Sequence, residues 1–102
     1  MPDIDISTLD EALADGAALI DVREPVEFAQ AHVPGARLIP MGSLSARLDE
    51  LERGRPVYVI CATGNRSATM CRVLAAAGFD AVNVAGGTTA WIRSGRAFET
   101  GM

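Results

Sequence analysis

The most informative segment of this chain is Tyr58-Val59-Ile60-Cys61-Ala62-Thr63-Gly64-Asn65-Arg66-Ser67. Together with Val57, its first residues form a short apolar run that predicts a strand ending directly before Cys61. A tight loop containing Gly64 follows, and a helix is predicted to begin near Ser67. In α/β proteins, ligands and reacting groups lie where the carboxyl end of a strand meets the N-terminus of a helix. The segment therefore predicts a functional site around Cys61.

Cys61 is the candidate nucleophile of this site. The unpaired N–H groups and positive dipole end of a helix N-terminus favour a thiolate, whose pKa can fall to roughly 3.5–7.5 in such places. Arg66 adds a permanent positive charge nearby. We therefore expect an anion cradle built from Ala62, Thr63, Gly64, Asn65, Arg66 and Ser67. The alternative is that Cys61 is only a small buried residue at a strand end, and the glycine and arginine that follow it favour the functional interpretation.

Strands and helices alternate along the whole chain. The apolar patterns predict strands over residues 4–6, 17–22, 38–39, 57–60 and 81–84. Helices are predicted over 7–14 (with Ser7 as N-cap), 25–31, 43–51, 67–77 and 88–93. This alternation predicts an α/β fold with a mainly parallel central sheet and helices on both faces. A chain of 102 residues suffices for one domain, so residues 1–102 are assigned to a single domain.

The amino-acid composition restricts the kinds of binding partner and the cellular location that we expect for this protein. The net charge is −4 and the nine basic residues are dispersed, which disfavours a nucleic-acid partner. No apolar run approaches the roughly 20 residues that cross a bilayer, and the acidic first residues do not resemble a signal peptide. We therefore expect a cytoplasmic protein without a membrane partner. Two cysteines and one histidine cannot complete a tetrahedral Cys/His zinc site, so no metal is expected.

Four other residues could contribute to the site. Cys71 lies within a predicted helix near its apolar stripe and is assigned to the core. His32 could in principle pair with Cys61, but its loop context favours a structural role. Asp21 and Arg23 leave a strand at the edge where Cys61 is expected, so they either brace the loop or are merely solvated charges. The G-x-G-x-x-G pattern of dinucleotide-binding proteins is absent, so the Gly-Gly pair at 86–87 predicts tight packing before a helix instead.

Four segments, taken in order and with their spacing, resemble the single-domain form of the rhodanese-like family. They are Ile20-Asp21-Val22-Arg23-Glu24-Pro25 with Glu27-Phe28, His32-Val33-Pro34-Gly35-Ala36, Cys61 through Ser67, and Gly86-Gly87 followed by Ala90-Trp91. The resemblance implies a single rhodanese-like domain with a parallel sheet between helices. It also implies that Cys61 is a persulfide-forming nucleophile and that residues 62–66 supply N–H groups to the transferred sulfur.

The resemblance implies a sulfurtransferase that needs no cofactor besides a covalent Cys61 persulfide. The donor would be thiosulfate, another small sulfur anion or a protein persulfide, and the acceptor would be cyanide or a thiol. A carrier that accepts sulfur from a protein without turning over small molecules is the alternative. Four residues separate Cys61 from Arg66, whereas family members with phosphatase or arsenate reductase activity have one more. Ala62 departs from the Arg, Gln or Lys of many members, which puts thiosulfate use in doubt.

Overall fold

The computed structural model describes residues 3–102, and in these residues a five-stranded sheet is flanked by helices. In chain order the elements are β1 (Asp3–Ile4), α1 (Ile6–Ala14), β2 (Ala18–Asp21), α2 (Pro25–Gln30), β3 (Arg37–Leu38), a 3₁₀ segment (Met41–Glu50), β4 (Val57–Ile60), α3 (Asn65–Ala76), β5 (Ala81–Val84) and α4 (Gly87–Arg93). The strand order is β1-β5-β4-β2-β3, and these strands pair only in parallel. The predicted α/β class with a parallel sheet is confirmed.

The central strand, β4, separates two apolar clusters. Its side chains alternate between the two faces of the sheet. Val59 packs in one cluster with Leu74 of α3, and Ile60 packs in the other with Leu9 of α1 and Trp91 of α4. None of these side chains is more than 4% exposed. Helices therefore cover both faces, and burial on both sides explains why β4 is a continuous apolar run.

The predicted start of the first helix is wrong by two residues. Asp5, with extended backbone, is the N-cap of α1, and its carboxylate accepts the N–H of Thr8 at 2.9 Å. Ser7 lies inside the helix instead. Because Asp5 caps the helix and Ile6 is already helical, β1 ends at Ile4 and does not reach residue 6 as predicted.

The predicted helix over 43–51 is also different in the structure. The segment Met41–Glu50 is 3₁₀ helix interrupted by the non-helical backbone of Arg47. Leu44 is fully buried and Leu48 packs against the same core cluster, so the leucine spacing reflects contact with the core. Gly42 and Ser43 are weak helix formers, and the non-helical backbone of Arg47 divides the segment into two short pieces, the form in which 3₁₀ helix is most common.

The carboxyl ends of β2, β4 and β5 meet at one edge of the sheet. Asp21, the last residue of β2, pairs with Ile60, the last residue of β4. This edge is where the sequence predicts the functional site.

In residues 3–102, no helix has the length and apolar character needed to cross a membrane. The cytoplasmic location stays a prediction.

Candidate active site

Cys61 is the first residue after β4, and the loop that follows leads directly into α3. Gly64 is the N-cap of α3 and has a φ of +108°, in the left-handed region that residues with a side chain rarely adopt. The helix begins at Asn65, two residues before the predicted start. Ser67 consequently lies in the first turn of α3, where its side chain reaches back to Cys61.

The Cys61 sulfur is enclosed by the residues that follow it. The Gly64 N–H donates to Sγ at 3.1 Å, and the Ser67 Oγ lies 3.2 Å from Sγ. Cys61 is only 1% exposed, and Ser67 is fully buried. An N–H group and a hydroxyl that point at one sulfur stabilise its ionised form, because hydrogen bonds to a charged acceptor are the stronger ones.

The two cysteines have opposite electrostatic environments. Burial by itself would raise the pKa of the Cys61 thiol, but the Ser67 hydroxyl and the N–H groups of Ser67, Gly64 and Thr63 lower this pKa below its ordinary value. For Cys71, burial raises the pKa to about 12. Cys71 is fully buried in the core cluster, as predicted. The environment of Cys61 is the one that suits a nucleophilic thiolate.

The N-terminal turn of α4 holds the backbone of the loop. The N–H groups of Thr88 and Thr89 donate to the carbonyl oxygens of Cys61 and Ala62 at 2.9 and 3.0 Å, and Thr88 Oγ1 donates to the Cys61 carbonyl at 3.1 Å. In a planar trans peptide the C=O and N–H groups point in opposite directions. Carbonyls that face α4 therefore leave the N–H groups of Ala62 and Thr63 directed away from α4.

Gly87 makes this close approach of α4 and the loop possible. A Cβ atom at position 87 would lie 2.5 Å from the Cys61 carbonyl oxygen and 2.6 Å from that of Ala62, closer than real contacts allow. Its φ of +58° also favours glycine. The tight packing predicted for the Gly-Gly pair is confirmed, and its location against the loop could not be read from the sequence.

Asn83 supports the loop from beneath. It belongs to the fully buried strand β5, is 3% exposed, and donates from Nδ2 to the Gly64 carbonyl oxygen at 3.3 Å. Its Oδ1 has no hydrogen-bond partner within residues 3–102. An asparagine between valines in an apolar strand is the sequence signal that could have singled it out, because a buried amide needs a polar partner.

Arg66 does not present a lone positive charge to the thiolate. Its two terminal nitrogens donate to the two carboxylate oxygens of Glu27 at 2.7 and 2.8 Å. Hydrogen bonding to Arg66 lowers the pKa of Glu27 to about 2. The Glu27 carboxylate raises the pKa of Arg66, and the nearby Cys61 thiolate contributes to the same shift. The positive charge that the sequence predicts beside the thiolate is therefore compensated by the Glu27 carboxylate.

Asp21 and Arg23 form a second ion pair. Arg23 Nη2 lies 2.9 Å from an Asp21 carboxylate oxygen, the aspartate is fully buried, and Arg23 also donates to the Ala31 carbonyl oxygen at 2.8 Å. They are thus not solvated charges. Their side-chain hydrogen bonds within the described residues join β2 to the end of α2 and do not reach the loop, so any bracing of the loop is indirect.

The remaining candidate site residues lie on the outer side of the loop or away from it. Ala62 is half-buried, whereas Thr63 and Asn65 are exposed at the surface of the cradle. His32 stacks on the Phe28 ring with centroids 3.7 Å apart, and its Nδ1 lies 2.8 Å from the Phe28 carbonyl oxygen. These contacts agree with the structural role that the sequence favours for His32.

We expect Ser67→Ala to raise the pKa of the Cys61 thiol, because the variant loses the hydroxyl that contributes most to lowering it. The rate of alkylation measured against pH should give a midpoint below the free-cysteine value of about 8.5 in the wild-type protein. The midpoint should move upward in Ser67→Ala. Thr69→Ala, on the outer side of α3, is the control. An unshifted midpoint in Ser67→Ala would contradict the assigned role of the hydroxyl.

Thr88→Val should loosen the loop, since valine keeps the shape of threonine but cannot donate to the Cys61 carbonyl. We expect a loss of about 0.5–1.5 kcal/mol in the free energy of unfolding and a slower reaction of Cys61 with alkylating agents. Urea unfolding and alkylation kinetics measure the two effects. Thr88→Ser keeps the hydroxyl and should retain the alkylation rate; equal behaviour of the two variants would argue against the hydrogen bond.

Comparisons with known proteins agree with this architecture. The sequence-family model described as “Rhodanese-like domain” matches residues 5–94 of this chain. A protein of Allochromatium vinosum named “Sulfurtransferase” is 38% identical over 96 residues, which cover 91% of this chain and 90% of that protein. A Bacillus subtilis protein named “Putative sulfur carrier protein YrkF” is 34% identical over 94 residues, which cover 89% of this chain and 51% of that protein.

Solved structures show the same fold over nearly the whole chain. The crystal structure of a rhodanese-like domain protein from Staphylococcus aureus has a TM-score of 0.90 and 35% identity, with 100% of both chains covered. A rhodanese-related protein from Thermoplasma volcanium also has a TM-score of 0.90, with 33% identity, and covers 97% of this chain and 98% of its own. The family model matches most of the chain, and the parallel sheet and the cysteine-containing loop agree with that match. The chain therefore belongs to the rhodanese-like domain family.

Proposed function

We propose that this protein is a sulfurtransferase that carries sulfane sulfur as a persulfide on Cys61. The observation that supports the proposal most directly is the pair of hydrogen bonds that the Gly64 N–H and the Ser67 hydroxyl form with the Cys61 sulfur. They lower the pKa of the thiol, and a thiolate is the form that attacks sulfur. The relative of Allochromatium vinosum, named as a sulfurtransferase, supports the same activity.

In the first half-reaction the Cys61 thiolate attacks the outer sulfur of a donor such as thiosulfate. A bond forms between Sγ and that sulfur, the bond from that sulfur to the sulfonate group breaks, and its electron pair leaves with sulfite. The products are an anionic persulfide on Cys61 and free sulfite, so the charge balances without a proton transfer. Sulfite is a weakly basic leaving group, and no general acid is needed.

In the second half-reaction an acceptor removes the outer sulfur. Cyanide or a thiolate attacks the terminal sulfur of the persulfide, the bond between the two sulfurs breaks, and its electron pair returns to Cys61 as the thiolate. Thiocyanate or a new persulfide leaves. The N–H groups directed away from α4, together with those at the start of α3, are suited to stabilise the anionic persulfide between the two steps. No other cofactor takes part.

The loop length argues against a phosphatase. Residues 62–66 bind and position the sulfur donor in this proposal, with four residues between Cys61 and Arg66. A phosphatase would have to accommodate a tetrahedral oxyanion in a wider cradle. It would also need an acid for its alkoxide leaving group, and sulfite needs none.

A sulfur carrier is the second candidate function. The Bacillus subtilis relative whose name describes a sulfur carrier favours it, as does the uncharged Ala62 beside the nucleophile. A carrier would form the Cys61 persulfide from a protein donor but would turn over thiosulfate and cyanide poorly. Steady-state turnover with small molecules therefore separates the two functions, which share the persulfide.

We expect Cys61→Ser to abolish sulfur transfer from thiosulfate to cyanide, because a serine hydroxyl is hardly ionised near neutral pH. Cys71→Ser should keep most of the activity, since Cys71 is a core residue with a raised pKa. Mass spectrometry after exposure to thiosulfate should find one added sulfur on Cys61. An added sulfur on Cys71, or activity in Cys61→Ser, would contradict the assignment.

Ala62→Arg should lower the KM for thiosulfate several-fold. A positive side chain next to the nucleophile could contribute about 1–3 kcal/mol to binding of a dianion, and each 1.4 kcal/mol is roughly tenfold in an equilibrium constant. Steady-state kinetics of the wild-type protein, Ala62→Arg and the uncharged control Ala62→Gln measure the effect. An unchanged KM in Ala62→Arg would mean that Ala62 does not limit thiosulfate use.

A further inference from the structure

The charges beside the Cys61 loop are arranged in compensated pairs. Arg66 is the only permanently charged residue of the loop 61–67, and both of its terminal nitrogens are bound to Glu27. Deeper in the same edge, Arg23 is bound to the buried Asp21. With both pairs neutral overall, the Cys61 thiolate leaves a net negative charge at the site. An anionic donor is then attracted by hydrogen-bond donors and the helix terminus alone.

Glu27 has a further hydrogen-bond partner besides Arg66. One of its carboxylate oxygens also accepts the Glu24 N–H at 3.0 Å, as part of the capping box that begins α2. Its side chain is about one third exposed, so its charge is only partly screened by surrounding protein atoms. The low pKa of Glu27, about 2, keeps the pair ionised throughout the neutral range.

We propose that Glu27 is a specificity-determining residue, which disfavours dianionic donors by compensating Arg66 and so favours sulfur donors of lower charge, such as persulfides. This inference rests on the proposed persulfide chemistry at Cys61. Coulomb energy is proportional to the product of the charges, so one carboxylate acts twice as strongly, in free energy, on a dianion as on a monoanion. Glu27 acts through Arg66, whose charge it neutralises, and it is not a catalytic residue.

Two donors of different charge test the inference. Thiosulfate is a dianion and methanethiosulfonate a monoanion, and both deliver a sulfane sulfur while a weakly basic sulfur oxyanion leaves. The measured quantity is kcat/KM for each donor, which reports the donor half-reaction. For Glu27→Gln we expect kcat/KM to rise roughly tenfold with thiosulfate and about threefold with methanethiosulfonate. The ratio of kcat/KM for thiosulfate to kcat/KM for methanethiosulfonate then rises about threefold. This rise should become smaller near 1 M salt, because the Debye length there is about 3 Å.

Three further variants separate charge from structure. Glu27→Asp keeps the charge and should retain the wild-type ratio of the two kcat/KM values, even if both rates fall. The double variant Glu27→Gln/Arg66→Gln restores a neutral pair and should return the ratio to the wild-type value. Glu11→Gln removes the same formal charge from the exposed face of α1 and should leave the ratio unchanged.

Each outcome decides the inference. An unchanged ratio in Glu27→Gln, or an equal loss with both donors, would overturn the specificity role and leave Glu27 as a structural partner of Arg66. In that case persulfide formation on Cys61 in the wild-type protein would still stand. If neither donor forms a Cys61 persulfide in the wild-type protein, the proposed function fails and the inference fails with it.

Discussion

The direction of two backbone carbonyls governs this site. The first turn of α4 binds the carbonyl oxygens of Cys61 and Ala62 through the N–H groups of Thr88 and Thr89. Without these partners the carbonyls would be free to turn toward the sulfur, where they would repel a thiolate or an incoming anion. Glycine at position 87 is what allows the approach, because any Cβ there would collide with the same carbonyls. The anion binding that we propose for the loop therefore depends on a helix that contributes no residue to it.

Hydrogen bonds, more than net charge, account for the acidity of Cys61. The thiol is buried, which opposes ionisation, and the Ser67 hydroxyl and nearby N–H groups reverse that effect. The charged residues at this edge are already paired, Arg66 with Glu27 and Arg23 with Asp21. Such a site can stabilise a small anion, such as a persulfide, by geometry that is fixed before the donor arrives, at little cost in reorganisation.

Much of the fold follows from local sequence. The apolar run of β4, the glycine after it and the apolar stripe of α3 predict a cysteine between a strand and a helix, and the alternation of such units predicts a parallel sheet. The predicted secondary structure was wrong where nearby residues compete for one role or the helix is interrupted. Asp5 caps α1 in place of Ser7, and Arg47 breaks the segment 41–50 into short 3₁₀ pieces.

Only the tertiary structure decided how the site is completed. Glu27 lies 39 residues from Arg66, Thr88 lies 27 residues from Cys61, and Asn83 lies 19 residues from Gly64. Sequence alone places the cysteine, the glycine and the arginine of the loop, since they follow one another on a strand–loop–helix unit. It cannot name their partners, because the parallel sheet brings together strand ends and helix ends that are distant in the chain, and a hydrogen bond between them leaves no local pattern.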